Sequence, residues 1–144
     1  TVAMYGGILA FRGTFENPYY LGARTKLSPL DAEFDADYFR SMLAGVKQNL
    51  SAKACLATEQ RIPGLGNGVL QDILFRAGIH PKRKLATLGD GDVERLFGTV
   101  KSLLTEMTGR NGRDTEKDLF GNCGGYAVQL SRNSWTEPCP VCGG

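Results

Sequence analysis

The sequence predicts a mainly α-helical protein, and three observations carry that prediction. Apolar residues recur at helical spacing through residues 34–46 and, without a gap, through residues 93–107. A glycine-rich turn at residues 63–68 opens directly onto a further segment with one apolar face. Only residues 2–11, VAMYGGILAF, are typical of a strand. Because a lone strand leaves its backbone groups unpaired, we interpret it as the remnant of a sheet whose other strands lie outside this sequence.

Four helices are expected after an irregular connection at residues 16–29, which contains Asn-Pro and Ser-Pro steps. The first covers residues 34–46 and the second covers residues 51–60. The third follows the glycine-rich turn and ends at Gly78, before a proline that cannot continue it. The fourth is expected from Asp90, as its N-cap, to Thr108, with Gly109 as its stop.

Composition is that of an ordinary globular protein of one or two small domains, with 144 residues, 42% hydrophobic residues, 22% charged residues and a net charge of +2. Basic residues are in excess only in the middle, where residues 76–117 carry nine basic and six acidic groups. On charge alone, this excess favours a solvated helical surface, with a nucleic-acid partner as the alternative. No apolar run approaches the roughly 20 residues of a membrane span, so a cytoplasmic setting is expected.

The turn Pro63-Gly64-Leu65-Gly66-Asn67-Gly68 lies between two predicted helices and begins the second. Glycines let consecutive N–H groups point outward, and a helix start adds partial positive charge, so the turn is suited to hold an anion. Alternatively, the glycines only let two helices pack closely. A dinucleotide site is excluded because no strand precedes the turn.

The cysteines indicate a metal site and no secreted disulfide framework. Cys139 and Cys142 form a C-x-x-C between prolines and glycines, as in a zinc knuckle, but a structural zinc needs four ligands. Cys123 is a conceivable third ligand, whereas Cys55 lies in a helical pattern and is expected to be a core residue. His80, beside a proline, is expected to shape a turn, and Trp135 is expected to pack near the cysteines.

Residues 60–81, QRIPGLGNGVLQDILFRAGIHP, resemble the helix-two-turn-helix signature of the formamidopyrimidine-DNA glycosylase and endonuclease VIII family. The resemblance implies that Gly66 and Asn67 bind a DNA backbone phosphate beside the lesion. It also implies that Asp72, where the family usually has Glu, orders the site. Its partner would be double-stranded DNA containing damaged bases.

Residues 113–125, RDTEKDLFGNCGG, look like the family segment that precedes the loop covering the extruded base. Lys117 matches the basic position of that segment, so the resemblance gives it a phosphate contact, although a solvated lysine is the alternative. In the family a second C-x-x-C completes a zinc finger, and the resemblance therefore implies zinc for the parent protein. Cys139 and Cys142 would be the first half of that site, incomplete within these residues.

The family's nucleophile is an amino-terminal proline amine assisted by a neighbouring Glu, whereas this sequence begins Thr1-Val2-Ala3. We therefore expect no catalytic residue in this chain, which alone would be inactive. Its parent would be a glycosylase and abasic-site lyase that excises oxidised bases through a proline Schiff base and nicks the strand. A monomer associated with the nucleoid is expected. A non-enzymatic helix-two-turn-helix nucleic-acid-binding module is the alternative.

The expected organisation has three parts. Residues 1–30 are a strand remnant of a β-sandwich with its connector, residues 31–110 are the helix-two-turn-helix domain, and residues 111–144 are the loop segment with the truncated zinc finger.

Overall fold

A computed structural model describes residues 13–14, 16–131, 136–139, 141 and 143, apart from the side chain of Tyr19. The predicted strand at residues 2–11 lies outside the described residues. The described part is helical and has only isolated β-bridges between its segments. Its α-helices are α1 (Pro18–Arg24), α2 (Ala36–Ala44), α3 (Ala52–Ala57), α4 (Asn67–Arg76) and α5 (Asp90–Gly109), with a 3₁₀ turn at Leu85–Thr87. The mainly α fold class is therefore confirmed.

Helix α1 corrects the prediction of an irregular connection at residues 16–29. Asn17 caps this helix, since its Oδ1 accepts from the backbone N–H of Tyr20 at 3.3 Å. Pro18 occupies the first helical position, where its missing N–H costs nothing and its fixed φ is already helical. The Asn-Pro step read as a turn signal is thus a helix start.

Local capping sets the other helix limits. Asp35 caps α2 by accepting from the Tyr38 N–H at 2.8 Å, and Ser51 caps α3 by accepting from the Ala54 N–H at 3.2 Å. Helix α3 stops at Ala57, three residues earlier than predicted, because the backbone turns left-handed soon after it.

The predicted cap of α5 was wrong by one residue. Gly89 is the N-cap, and Asp90 is the first residue of the helix. The carboxylate that satisfies the start of the helix belongs to Asp92, which accepts from the Gly89 N–H at 3.2 Å. At the other end, Gly109 is the last helical residue and Arg110 is the C-cap.

Helix α4 packs against both α3 and α5, and α2 packs on α5. The rings of Phe34 and Phe97 stack with centroids 6.3 Å apart, and Phe39 packs against Phe97 at 5.7 Å. The Lys101 ammonium donates to the Phe34 carbonyl at 2.9 Å, which ties the segment before α2 to α5. Cys55 is fully buried as expected, and desolvation raises the pKa of its thiol.

After α5 the chain folds back over α4, so that the segment of residues 110–130 lies on the helix that follows the glycine-rich turn. Within the described residues, no helix has the length and apolar character needed to cross a membrane.

Candidate nucleic-acid interface

The connection between α3 and α4 is a tight reversal with unusual backbone geometry. Glu59 and Gln60 are consecutive left-handed residues, with φ of 57° and 47°. The Gln60 side chain accepts from the backbone N–H of Gly64 at 3.1 Å, which closes the next bend. Ile62 and Leu65 are buried and anchor the turn in the core. Since non-glycine residues rarely adopt positive φ, the surrounding contacts must hold this conformation.

Arg61 supplies much of that restraint. Its side chain is nearly buried, and Nη1 donates to the carbonyl oxygens of Cys55 and Thr58 at 2.9 and 3.3 Å. Cys55 lies in the last turn of α3 and Thr58 is its C-cap, where carbonyl groups lack N–H partners within the helix. Nη2 pairs with Glu59 at 2.7 Å. A single guanidinium therefore caps α3 and fixes the left-handed bend before α4.

Helix α4 begins at Asn67 without a capping side chain. Its N-cap is Gly66, which makes no side-chain hydrogen bond, and its first turn has no acidic residue. By contrast, a side-chain carboxylate or hydroxyl bonds a backbone N–H at the start of each of the helices α2, α3 and α5. Gly66 and Asn67 are exposed, so solvent reaches the start of this helix. Such a start attracts anions through its free donors and the helix dipole.

Asp72 lies on the opposite side of the same helix and is fully buried. Its carboxylate accepts from the Tyr126 hydroxyl at 3.1 Å and from the backbone N–H groups of Gln129 and Leu130 at 3.1 and 2.9 Å. Burial, together with the negative charge of Asp72, raises the pKa of Tyr126 to about 12. One carboxylate therefore ties residues 126–130 to α4.

The backbone just after α5 pairs closely with the backbone at Tyr126. The Tyr126 N–H donates to the Gly112 carbonyl at 3.0 Å, and the Asp114 N–H donates to the Tyr126 carbonyl at 2.8 Å. A Cβ at Gly124 would overlap the Gly112 backbone and lie 2.6 Å from the Arg113 nitrogen. The crossing is therefore possible only with glycine at position 124.

Between these two paired backbone segments, residues 117–123 form a tight loop. The Asp118 carboxylate accepts from the Phe120 and Asn122 N–H groups at 2.8 and 2.9 Å and from the Asn122 side chain at 3.0 Å. The Asn122 side chain and these N–H groups lower the pKa of Asp118. Lys117 and Cys123 pair across the base of the loop, and both are exposed. Its tip presents Leu119 and Phe120 to solvent, with 98% and 89% of their surfaces exposed.

Comparison with known protein families shows which family this chain belongs to. The family model described as the formamidopyrimidine-DNA glycosylase H2TH domain matches residues 26–117, which is more than half of the chain. The chain belongs to the formamidopyrimidine-DNA glycosylase family. A formamidopyrimidine-DNA glycosylase of Symbiobacterium thermophilum is 36% identical over 118 residues, covering 80% of this chain and 38% of that protein. One from Bacillus subtilis is 32% identical over 114 residues, covering 77% and 41%.

Solved structures of the formamidopyrimidine-DNA glycosylase family share this fold. The Thermus thermophilus MutM (Fpg) protein matches with a TM-score of 0.72 and 25% identity, covering 83% of this chain and 46% of that one. Lactococcus lactis Fpg in complex with DNA containing FAPY-dG matches with a TM-score of 0.71 and 26% identity, covering 88% and 46%. The chain thus spans less than half the length of these family members.

Residues predicted from the glycosylase signature occupy two faces of α4. Gly66 and Asn67 lie at its exposed start, and Asp72 lies on its buried side. Lys117 lies at the base of the loop, and the structure shows no contact between its side chain and the Asn67 turn among the described residues. His80 is exposed and accepts from the Lys82 N–H at 3.2 Å, which fits the predicted turn.

The metal prediction is only partly within the described residues. Cys139 is described and its carbonyl accepts from the Gly143 N–H at 2.8 Å, a turn that suits a knuckle. Cys142 and Trp135 lie outside the described residues. Among the described residues no three His, Cys, Asp or Glu side chains converge on a point where they could hold a metal ion.

Three residues of the interface escaped the sequence analysis: Arg61, Arg113 and Tyr126. Arg61 had a signal, because a basic residue just after a helix often bonds its last carbonyls. Tyr126 follows Gly124-Gly125 and had none, since its partner Asp72 is 54 residues away.

Proposed function

We propose that this chain is the DNA-backbone-binding part of a base-excision glycosylase. The observation that carries the proposal is the uncapped, exposed start of α4 in a chain of the formamidopyrimidine-DNA glycosylase family. Gly66 and Asn67 would bind one backbone phosphate through N–H groups and the Asn67 amide. Such a contact positions the protein on DNA without reading a base.

The substrate we propose is duplex DNA with a damaged base. Fpg of Lactococcus lactis has been solved with DNA containing an abasic site and with DNA containing FAPY-dG, which supports this class of ligand. The loop of residues 117–123 fits a role beside the lesion. Its capped turn holds Leu119 and Phe120 in water, where an apolar pair gains by packing against an unstacked base. Lys117 at the loop base would contact the neighbouring phosphate.

Replacing Asn67 with Ala tests the phosphate contact. We expect weaker binding to plain and lesion-containing duplex alike, and a shallower dependence of log affinity on log salt. The measurement is fluorescence anisotropy with a labelled duplex at two salt concentrations. Asn49→Ala is a matched control, because Asn49 is also exposed but precedes α3 at the end away from the turn. Unchanged affinity and slope in Asn67→Ala would leave the glycines with a packing role only.

Catalysis by the parent protein is proposed to follow the family's proline chemistry, with base removal and strand cleavage through a Schiff base. We propose that the 144-residue polypeptide alone binds lesion duplex without cutting it. Borohydride trapping measures this directly, and a covalent adduct formed as fast as with an intact family member would contradict the expectation.

Zinc is proposed for the parent protein, with Cys139 and Cys142 as two of four ligands. Two thiolates leave half of a tetrahedral site open. Elemental analysis after dialysis should therefore give less than one tightly bound zinc per 144-residue chain. A full equivalent in the monomer would show that other side chains of this chain complete the site.

A further inference from the structure

The guanidinium of Arg113 occupies a costly position. Its side chain is only 12% exposed, and its Nη1 pairs with Glu116 Oε1 at 2.9 Å. The Nε atom is buried without a hydrogen-bond partner, and no described contact uses Nη2. Glu116 is 67% exposed, so water screens much of its charge. A nearly buried arginine normally has its buried donors satisfied, whereas the buried Nε of Arg113 has no partner.

The same guanidinium lies over the first turn of α4. A Cβ built on Gly68 would be 2.7 Å from both Cζ and Nη2 of Arg113, so a side chain at position 68 would have to displace the guanidinium. The helix start already carries partial positive charge, and a cation placed there is unfavourable. Glu116 is the one carboxylate that the described contacts pair with Arg113. An anion bound at the helix start would be stabilised by both the dipole and the guanidinium.

We propose that Arg113 is a second ligand of the DNA phosphate at the start of α4. In this arrangement Nη2 donates to the phosphate that the Gly66–Asn67 turn binds, and the glycine at position 68 makes room for the guanidinium. The planar fork of arginine suits a phosphate, which accepts two parallel donors. The inference rests on the proposed function, because it adds a residue to the same site.

Two substitutions of Arg113 separate its charge from its shape. Arg113→Met removes the charge while keeping a long side chain, and Arg113→Lys keeps the charge without the fork. Binding is measured by anisotropy with a short fluorescein-labelled plain duplex and with the same duplex carrying a tetrahydrofuran abasic-site analogue. We expect Arg113→Met to bind both duplexes about three- to tenfold more weakly, with a salt slope shallower by about 0.9. Arg113→Lys should fall between Arg113→Met and the unchanged chain.

Gly68→Ala tests the inference without touching the arginine. The new methyl group must push the guanidinium aside, so DNA binding should weaken several-fold even though alanine favours the helix. Gly98→Ala is the matched control, since Gly98 lies in α5 with nothing within 4 Å of the added Cβ. It should leave DNA binding unchanged. Glu116→Gln removes the carboxylate that competes with the phosphate for Arg113. It should strengthen DNA binding about two- to threefold, because an exposed ion pair contributes only a small free energy.

The outcomes distinguish this inference from the proposed function. If Arg113→Met and Gly68→Ala bind like the unchanged chain while Asn67→Ala is weaker, Arg113 is not a ligand and the phosphate site stands. If Asn67→Ala also has no effect, the proposed function fails as well. Circular dichroism establishes that each variant is folded. Should Arg113→Met fail to fold, unchanged binding in both Gly68→Ala and Glu116→Gln overturns the inference.

Discussion

Replacing Asp72 with Asn is the sharpest test of how the segment of residues 110–130 is held on α4. The carboxylate accepts three donors, two of which are backbone N–H groups that cannot reverse their role. An asparagine offers one accepting oxygen and one NH₂ group. In either orientation the NH₂ faces the N–H of Gln129 or of Leu130, and that backbone donor is left unpaired in a buried site.

The expected cost follows from these contacts. Hydrogen bonds to a charged group contribute about 1.5–3 kcal/mol, neutral ones about 0.5–1.5 kcal/mol, and an unsatisfied buried donor costs about 1–3 kcal/mol. Removing a buried charge also recovers part of its desolvation cost. We therefore expect Asp72→Asn to lower the free energy of unfolding by about 2–4 kcal/mol, a large share of a typical total of about 5–15 kcal/mol.

Urea unfolding followed by circular dichroism measures this change, and amide hydrogen exchange at Gln129 and Leu130 measures the local part. Both amides should exchange faster in the variant. Asp114→Asn is the control, because Asp114 is exposed and, among the described residues, its carboxylate accepts only from the Val128 N–H at 3.3 Å. It should change stability by less than about 1 kcal/mol. The reasoning is refuted if Asp72→Asn is no less stable than Asp114→Asn and the two amides exchange as before.

Two further predictions concern the same contact region. Tyr126 has a pKa raised from 10.0 to about 12, chiefly by burial, so the folded state holds the phenol proton more tightly than the unfolded state does. That contribution is complete below pH 10 and is lost as the pH rises to about 12, so a Tyr126→Phe variant should show a flatter fall of unfolding free energy across this range. Gly124→Ala must force the backbone of Gly112 and Arg113 away and should cost about 1–3 kcal/mol or more in urea unfolding, whereas Gly98→Ala should be neutral or stabilising. A Gly124→Ala variant as stable as Gly98→Ala would disprove the close crossing.

Features set by neighbouring residues were predictable from the sequence. The periodic apolar residues gave α2, α4 and α5, because a helix buries one face whatever its partner is. The glycine-rich start of α4 was also predictable, because the glycines stand directly before the apolar residues of that helix in the sequence. The limits of the helices were less predictable from the sequence, since an N-cap differs from its neighbours by only one hydrogen bond. The sequence analysis placed the N-cap of α5 at Asp90, whereas the structure has Gly89 as the N-cap, with its N–H donating to the Asp92 carboxylate.

Contacts between distant segments could not be predicted. Asp72 meets the segment that contains Gln129 more than fifty residues later, and no local pattern records this pairing. The approach of Arg113 to Gly68 depends on how the chain crosses itself at Gly124. Each of these contacts needs the orientation of α4 against α5, which the apolar periodicity leaves open. A resemblance to a family could mark Asp72 as important, but only the fold shows which groups it bonds.

Helix α4 links the phosphate site to the loop segment by its own geometry. Asp72 follows Asn67 by five residues, which is a rotation of about 140° and a rise of about 7.5 Å along the axis. Asn67 therefore faces solvent while the Asp72 carboxylate faces the core and fixes residues 126–130. The backbone of Gly124 lies against that of Arg113, and the Arg113 guanidinium lies beside Gly68, so the segment returns to the start of the same helix. The two ends of the loop of residues 117–123 are thus positioned from a single rigid element, and a phosphate bound at Asn67 would have a fixed relation to Leu119 and Phe120.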